Sequence, residues 1–138
     1  MPSFEVVTDG MNIDEWIQSY ARAWESGDTE LIVRLFTEDA TYRSHPFREG
    51  LRGASEIRDY WTQATAGPSK VRVQMGRPFV DGDRVAVEWW ATMTDDGEES
   101  TLPGCLLLRF SADGRCTDLR EYWSFEKGHR EPFAGWGT

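Results

Sequence analysis

The chain has only two cysteines, Cys105 and Cys116, and two histidines, His45 and His129, among 138 residues. Two cysteines make no disulfide framework. The strand pattern below puts them on two arms of one hairpin, several residues out of register. Each residue of offset adds about 3.3 Å, so both are expected to remain thiols. No Cys/His cluster has metal-ligand spacing, no G-x-G-x-x-G follows a strand, and P-loop and G-x-S-x-G motifs are missing. These absences argue against a structural metal, nucleotide binding and triad hydrolysis, and no cofactor is expected. Positive charge is also short: 15 Lys and Arg face 24 Asp and Glu, a net charge of −9. Nucleic acid and anionic membrane surfaces repel such a chain. No stretch approaches the roughly 20 apolar residues of a membrane helix, and MPSFEVVTDG does not read as a signal peptide. Thiols without a visible export signal are the expectation for a cytoplasmic protein.

Aromatic residues are plentiful, at 13% of the chain with seven Trp and seven Phe. Such side chains bury large areas and often wall ligand cavities. The length fits one domain, 1–138, with its core in 11–126 and irregular tails at 1–10 and 127–138. The first half reads helical. In 12–26, Ile13, Trp16, Ile17, Tyr20, Ala21 and Trp24 form one apolar stripe. Asn12 and Glu15 make a capping pair, and Gly27 suits the position after the helix. Asp28 caps a short helix over 29–37, a strand follows over about 40–46, and a third helix covers about 54–66.

After Pro68 the pattern turns to period two. Strands are expected over 70–80, 83–94, 101–110 and 115–126, with hairpin signals at Asp81-Gly82 and Asp113-Gly114. The fold class is therefore α+β: three N-terminal helices bury their stripes on one face of a mainly antiparallel meander. The tail KGHREPFAGWGT carries Phe133 and Trp136, which either cap the sheet or a partner subunit, or stay mobile.

In strand 115–126 the odd positions Thr117, Leu119, Glu121, Trp123 and Phe125 are apolar except for Glu121. A carboxylate on that face is desolvated or lines a pocket, and either raises its pKa toward general acid/base use. The alternative is a purely structural carboxylate paired with a buried Arg or Tyr. Strand 83–94 is apolar on both faces, so both are covered. The Val85/Val87/Trp89/Met93 face suits a homodimer interface, and the Ala86/Glu88/Trp90 face suits a cavity, unless the two are exchanged. On the opening strand, alternation separates Tyr42 and Ser44 from Arg43 and His45. A Tyr can support an oxyanion and a His is an acid/base at neutral pH; a strand-end His bonded to backbone is the plainer role.

Three stretches, YARAWESGDTELIVRLFTEDATYRSHPF, LRGASEIRDYW and GRCTDLREYWSFE, carry a likeness to a known family. With the element order, they make the chain resemble the nuclear transport factor 2-like superfamily, in its SnoaL-like branch, over about 11–126. The resemblance implies a curved sheet wrapped around a long helix as a cone with an apolar pocket, and a homodimer through the outer sheet face. Members include ketosteroid isomerases, polyketide cyclases, scytalone dehydratases and limonene-epoxide hydrolases, whose pockets take small, mostly apolar molecules without a metal or organic cofactor. Against the epoxide hydrolases, Tyr42 matches their Tyr, Ser44 stands for an Asn, and Glu88 and Glu121 stand for two Asp. Ala86 stands where their Arg should be, which speaks against epoxide hydrolysis. The isomerases' base precedes a Pro, as His45 precedes Pro46 here, one residue out of alignment.

The expected function is binding of a small apolar or aromatic molecule, with cofactor-independent isomerase, cyclase, dehydratase or hydratase chemistry. Glu121 or His45 would be the base, and Tyr42 and Glu88 would orient the substrate. Trp16, Tyr20, Trp61, Trp90, Trp123 and Ser44 are the expected ligand contacts. A non-catalytic binder and a dimerisation module on the same scaffold are the alternatives.

Overall fold

The first helix starts where the sequence says it should. In the computed structural model, which describes residues 12–138, α1 spans Ile13–Ser26. The Asn12 side chain accepts from the Glu15 N–H at 2.8 Å, and the Glu15 carboxylate accepts from the Asn12 N–H at 3.2 Å. Gly27 ends the helix at φ +70°, a conformation that costs glycine little. Asn12→Ala is expected to lower stability by about 1 kcal/mol, measured as a shift of the urea midpoint with unchanged slope. The expected tail 1–10 lies outside the described residues.

The remaining elements are α2 (Thr29–Arg34), β1 (Phe36–Arg43), β2 (Leu51–Arg52), α3 (Gly53–Ala64), β3 (Ser69–Met75), β4 (Phe79–Asp81), β5 (Arg84–Asp95), β6 (Glu98–Phe110), β7 (Cys116–Trp123) and β8 (Glu126–Lys127). The sheet runs β2-β1-β7-β6-β5-β3, with β4 on β5 and β8 on β6. All pairs are antiparallel except β1 with β7, which is parallel. The result is three helices on a curved, mixed sheet of eight strands that does not close on itself.

Several boundaries differ from the sequence reading. The second helix stops at Arg34 and β1 begins at Phe36, because β7 captures that stretch: Phe36 pairs with Cys116, and the Cys116 N–H donates to the Leu35 carbonyl at 2.9 Å. Tertiary pairing overrides a local helical pattern here. The expected strand 70–80 breaks at 76–78, where Pro78 has no N–H for a ladder. The register on β5 slips by one residue across the break, from Met75 opposite Trp89 to Phe79 opposite Ala86. The turn between β5 and β6 is Asp96-Gly97, both at positive φ (54° and 79°), the tight hairpin geometry that matches strand twist.

The core is the space between helices and sheet. Trp16, Tyr20, Ala40, Tyr42, Ile57, Leu106 and Leu119 are fully buried there. The Trp16 indole donates to the Leu35 carbonyl at 2.8 Å, tying α1 to the junction of α2 and β1. Both cysteines are free thiols, as their offset implied; burial pushes Cys116 up to about 12. Among the described residues no helix is long and apolar enough to cross a membrane.

The two faces of β5 are exchanged relative to the expectation. Val85, Val87, Trp89 and Ala91 point into the core, and Ala86, Glu88 and Trp90 point outward. The register explains this: Val85 and Val87 stand opposite Leu108 and Leu106, which lie in the same core row. Trp89 stands opposite Gly104, whose missing side chain makes room for the indole.

The chain itself covers part of the outer face. The expected irregular tail 127–138 enters it through β8. From there Thr101 Oγ1 donates to the Gly128 carbonyl at 2.7 Å, and the Trp90 indole donates to the Arg130 carbonyl at 2.8 Å. The Phe133 and Trp136 rings pack on Trp90 at 6.4 and 5.9 Å. The Gly137 N–H donates to Glu88 at 3.1 Å, and the Gly137 carbonyl accepts from the Arg77 N–H at 2.8 Å. Gly76 permits this contact: a Cβ there would lie 2.9 Å from the Gly137 Cα.

Candidate functional site

Parity on β7 turns Leu119 and Glu121 inward together. The neighbouring β1 places Tyr42 beside Leu119, also inward and fully buried. The Tyr42 hydroxyl donates to Glu121 Oε1 at 2.9 Å. The Tyr20 hydroxyl, from α1, lies 3.2 Å from that of Tyr42. Because Tyr42 donates to the carboxylate, Tyr20 is free to donate to Tyr42. Three elements thus bring together a Tyr20–Tyr42–Glu121 chain of hydrogen bonds inside the core.

The electrostatics follow from burial. Glu121 is the one Asp or Glu buried among the described residues, and Tyr42 is its one hydrogen-bond partner there. Desolvation pushes its carboxyl up to about 8, with the Tyr42 hydrogen bond pulling the other way. Burial, and then the nearby Glu121 charge, hold Tyr20 and Tyr42 well above the ordinary phenol value. The same two causes push Tyr60 up to about 12. The site therefore holds one proton that moves near neutral pH, on Glu121, and phenols that keep theirs and donate.

The structure separates the other expected residues. Strand β1 ends at Arg43, so His45 lies in a bend at the rim. Its Nδ1 accepts from the Phe47 N–H at 3.2 Å, the plainer strand-end role, and the ring sits 6.4 Å from that of Trp123. Glu88, expected at the cavity, is on the opposite face of the sheet, holding the tail. Trp90 is on that outer face too, so neither can touch a ligand bound beside Glu121. Trp123 is 42% exposed, and its indole donates to the Ser44 carbonyl at 2.7 Å. Trp16 is core, stacked on Tyr20 at 5.1 Å.

Trp61 touches both tyrosines of the chain, at 5.7 Å from Tyr20 and 6.4 Å from Tyr42. Three neighbours went unnamed as site residues: Tyr60, whose ring lies 5.4 Å from Tyr42, and Trp24 and Trp89, 5.0 Å apart. Trp24 and Tyr60 sit on the apolar stripes of their helices beside Tyr20 and Trp61, a placement readable from helical spacing. Trp89 was hidden by the exchange of faces. A cavity of about 310 Å³ lies on the outer side, away from Glu121, lined by Phe79, Val80, Ala86, Leu107, Arg109 and Arg120 among others. No group of three His, Cys, Asp or Glu with metal-binding geometry occurs among the described residues.

Known structures share this architecture. A protein with a ketosteroid isomerase-like fold from Catenulispora acidiphila DSM 44928, in complex with trimethylamine, is 23% identical. It aligns over 83% of this chain and 88% of its own, with a TM-score of 0.72. SalBIII, described as an epoxide hydrolase/cyclase-like enzyme in pyran ring formation in salinomycin, is 24% identical over 80% of this chain and 89% of its own (TM-score 0.71). An LEH-like epoxide hydrolase of Mycobacterium tuberculosis is 18% identical over 79% of this chain and 80% of its own (TM-score 0.67). At these identities the likeness concerns the fold. The family model for the SnoaL-like domain matches residues 17–119, from the α1 stripe to the strand that carries Glu121. The chain belongs to the SnoaL-like family, within the nuclear transport factor 2-like superfamily.

Proposed function

We propose that the protein binds a small aromatic or largely apolar molecule between helices and sheet and moves a proton on it with Glu121. The observation that carries this reading is the buried carboxyl with a single phenol partner. A structural carboxylate at that depth is expected to have a cation or several donors; Glu121 has neither among the described residues. Its raised pKa is what a group needs in order to take and return a proton near neutral pH.

Each residue then has a role. The carboxylate form of Glu121 abstracts a proton from a carbon acidified by a neighbouring carbonyl, and the resulting acid returns it elsewhere on the same molecule. Tyr42 shares the negative charge of the carboxylate, and Tyr20 backs Tyr42. Tyr60, at the same aromatic cluster, remains protonated through the working pH range and can donate to a developing enolate oxygen. The reaction class is isomerisation or cyclisation through an enol, without a cofactor.

The test is exchange of the α-protons of 1-tetralone in D2O, followed by proton NMR. Acceleration over buffer is expected to rise with pH through about 8, as the Glu121 carboxylate forms. Glu121→Gln is expected to lose at least about 100-fold of it. Binding of the ketone without accelerated exchange at any pH would make the protein a binder rather than an enzyme.

A further inference from the structure

The outer face of the sheet carries a pattern that the proton chemistry does not use. Register across four strands places Phe79, Ala86, Leu107 and Arg120 in one outward row. The next row holds Asp81, Arg84, Arg109 and Asp118. The tail reaches β5 at Trp90 and Glu88, and Ala86 is the next outward residue beyond them. Ala86 is small between Phe79 and Leu107, which opens the floor of the cavity of about 310 Å³. Two features point to an anion there. The chain has 24 Asp and Glu against 15 Lys and Arg, yet three arginines and one aspartate line this cavity. Two arginine pairs also stand directly opposite each other across strands, Arg84 with Arg109 and Arg43 with Arg120. Like charges so placed cost stability, a cost that a bound anion would offset. Asp81, Asp83 and Asp118 each hold one guanidinium of the cavity, at 3.0, 3.6 and 3.3 Å. These ion pairs are largely in solvent and therefore weak. An arginine has five N–H donors, so each keeps several for a ligand.

We propose that the outer cavity is a second binding site, for a small organic acid: a carboxylate carried on a single ring or a short branched chain. The apolar body lies on Phe79, Ala86 and Leu107, and the carboxylate meets Arg120 and the Arg84–Arg109 pair. The planar fork of an arginine matches a carboxylate at two points, which favours this anion over a neutral polar group. Ligand sites run from roughly 300 to 1,000 Å³, and a cavity at the small end takes about one ring. Glu121 stands opposite Leu106 and Arg120 opposite Leu107, so the two sites lie on opposite faces of the sheet. The outer site is therefore independent of the proton-transfer reading and is tested separately from it.

The probes are 3-phenylpropanoate, its neutral amide 3-phenylpropanamide, and acetate. Calorimetry is expected to place 3-phenylpropanoate about 10-fold or more above the amide, because only the anion engages the guanidiniums fully. Acetate lacks the apolar body and should bind at least about 10-fold more weakly than 3-phenylpropanoate. Raising NaCl to about 0.5 M should weaken binding of the acid and leave the amide unchanged. Arg120→Gln is expected to lower affinity for the acid about 5-fold with no change for the amide, which tells a lost charge from a damaged fold. In the unmodified protein, NOEs should join the ring protons of 3-phenylpropanoate to the Ala86 and Leu107 methyl groups. Equal affinity for acid and amide, or no binding of the acid, would overturn the inference. So would NOEs from the probe to Tyr60 or Trp61 instead, or intermolecular NOEs that place a second copy of the chain over Leu107.

Discussion

Between pH 4.5 and 8 the protein is expected to lose about 5 kcal/mol of stability through Glu121, and Glu121→Gln is expected to remove that loss. The sign follows from burial. Folding raises the carboxyl from its ordinary 4.5 to about 8, so within that window the native state holds a proton that the unfolded chain has released. Stability is full below the lower value, where both states are protonated, and falls as pH rises. Above about 8 both are ionised and the effect is complete. Other shifted carboxyls act oppositely: Arg58 lowers Glu30 through a hydrogen bond and Ser111 lowers Asp113, but both are exposed and common to the two proteins. Urea unfolding of wild type and Glu121→Gln at several pH values from 5 to 9 isolates the effect as their difference. The curves should diverge steadily with pH; parallel curves would mean that Glu121 titrates normally.

Gly104→Ala should be the most damaging single methyl addition in the sheet, costing about 3 kcal/mol and lowering Tm by roughly 10 °C. A Cβ at 104 would lie 2.3 Å from Cζ2 and 2.4 Å from Cε2 of Trp89. The indole is a rigid plane, 1% exposed and wedged against Trp24 at 5.0 Å, so it has nowhere to turn. The coupling is testable. In Trp89→Leu the obstructing ring is gone, and adding Gly104→Ala should then cost far less than it does alone. Additive losses in the double variant would show that Gly104 is needed for its backbone and not for the space it leaves.

What could be read in advance tracks how many independent signals agreed. Helix α1 was legible to within a residue because its stripe, capping box and terminal glycine all point to one answer. The inward placement of Glu121 was legible because its row on β7 is otherwise apolar. The faces of β5 were not, since Val85/Val87/Trp89 and Ala86/Trp90 are both apolar, and alternation gives two rows without saying which is inside. The turns held the missing information. Asp96-Gly97 sets Glu88 opposite Cys105, and the next hairpin sets Glu121 opposite Leu106. Neighbouring residues of β6 face opposite ways, so Glu88 and Glu121 cannot share a face. His45 escaped because a parity argument ends with the strand, and β1 ends at Arg43. The cover over Trp90 was one of several alternatives for the tail, because glycines and a few aromatics fix no path; backbone contacts at Gly137 and Arg130 do.

The parallel pairing of β1 with β7 has a kinetic consequence. Tyr42 and Glu121 are 79 positions apart, and nothing local brings them together. Strand β1 has no long partner until β7 exists, so a chain made from its N-terminus carries an open edge with Tyr42 uncovered while β3 to β6 are still being added. Closing so long a loop is entropically costly and slows folding. The Tyr42–Glu121 contact is therefore expected among the last contacts of the fold, and a truncated or half-folded chain has no partial version of it.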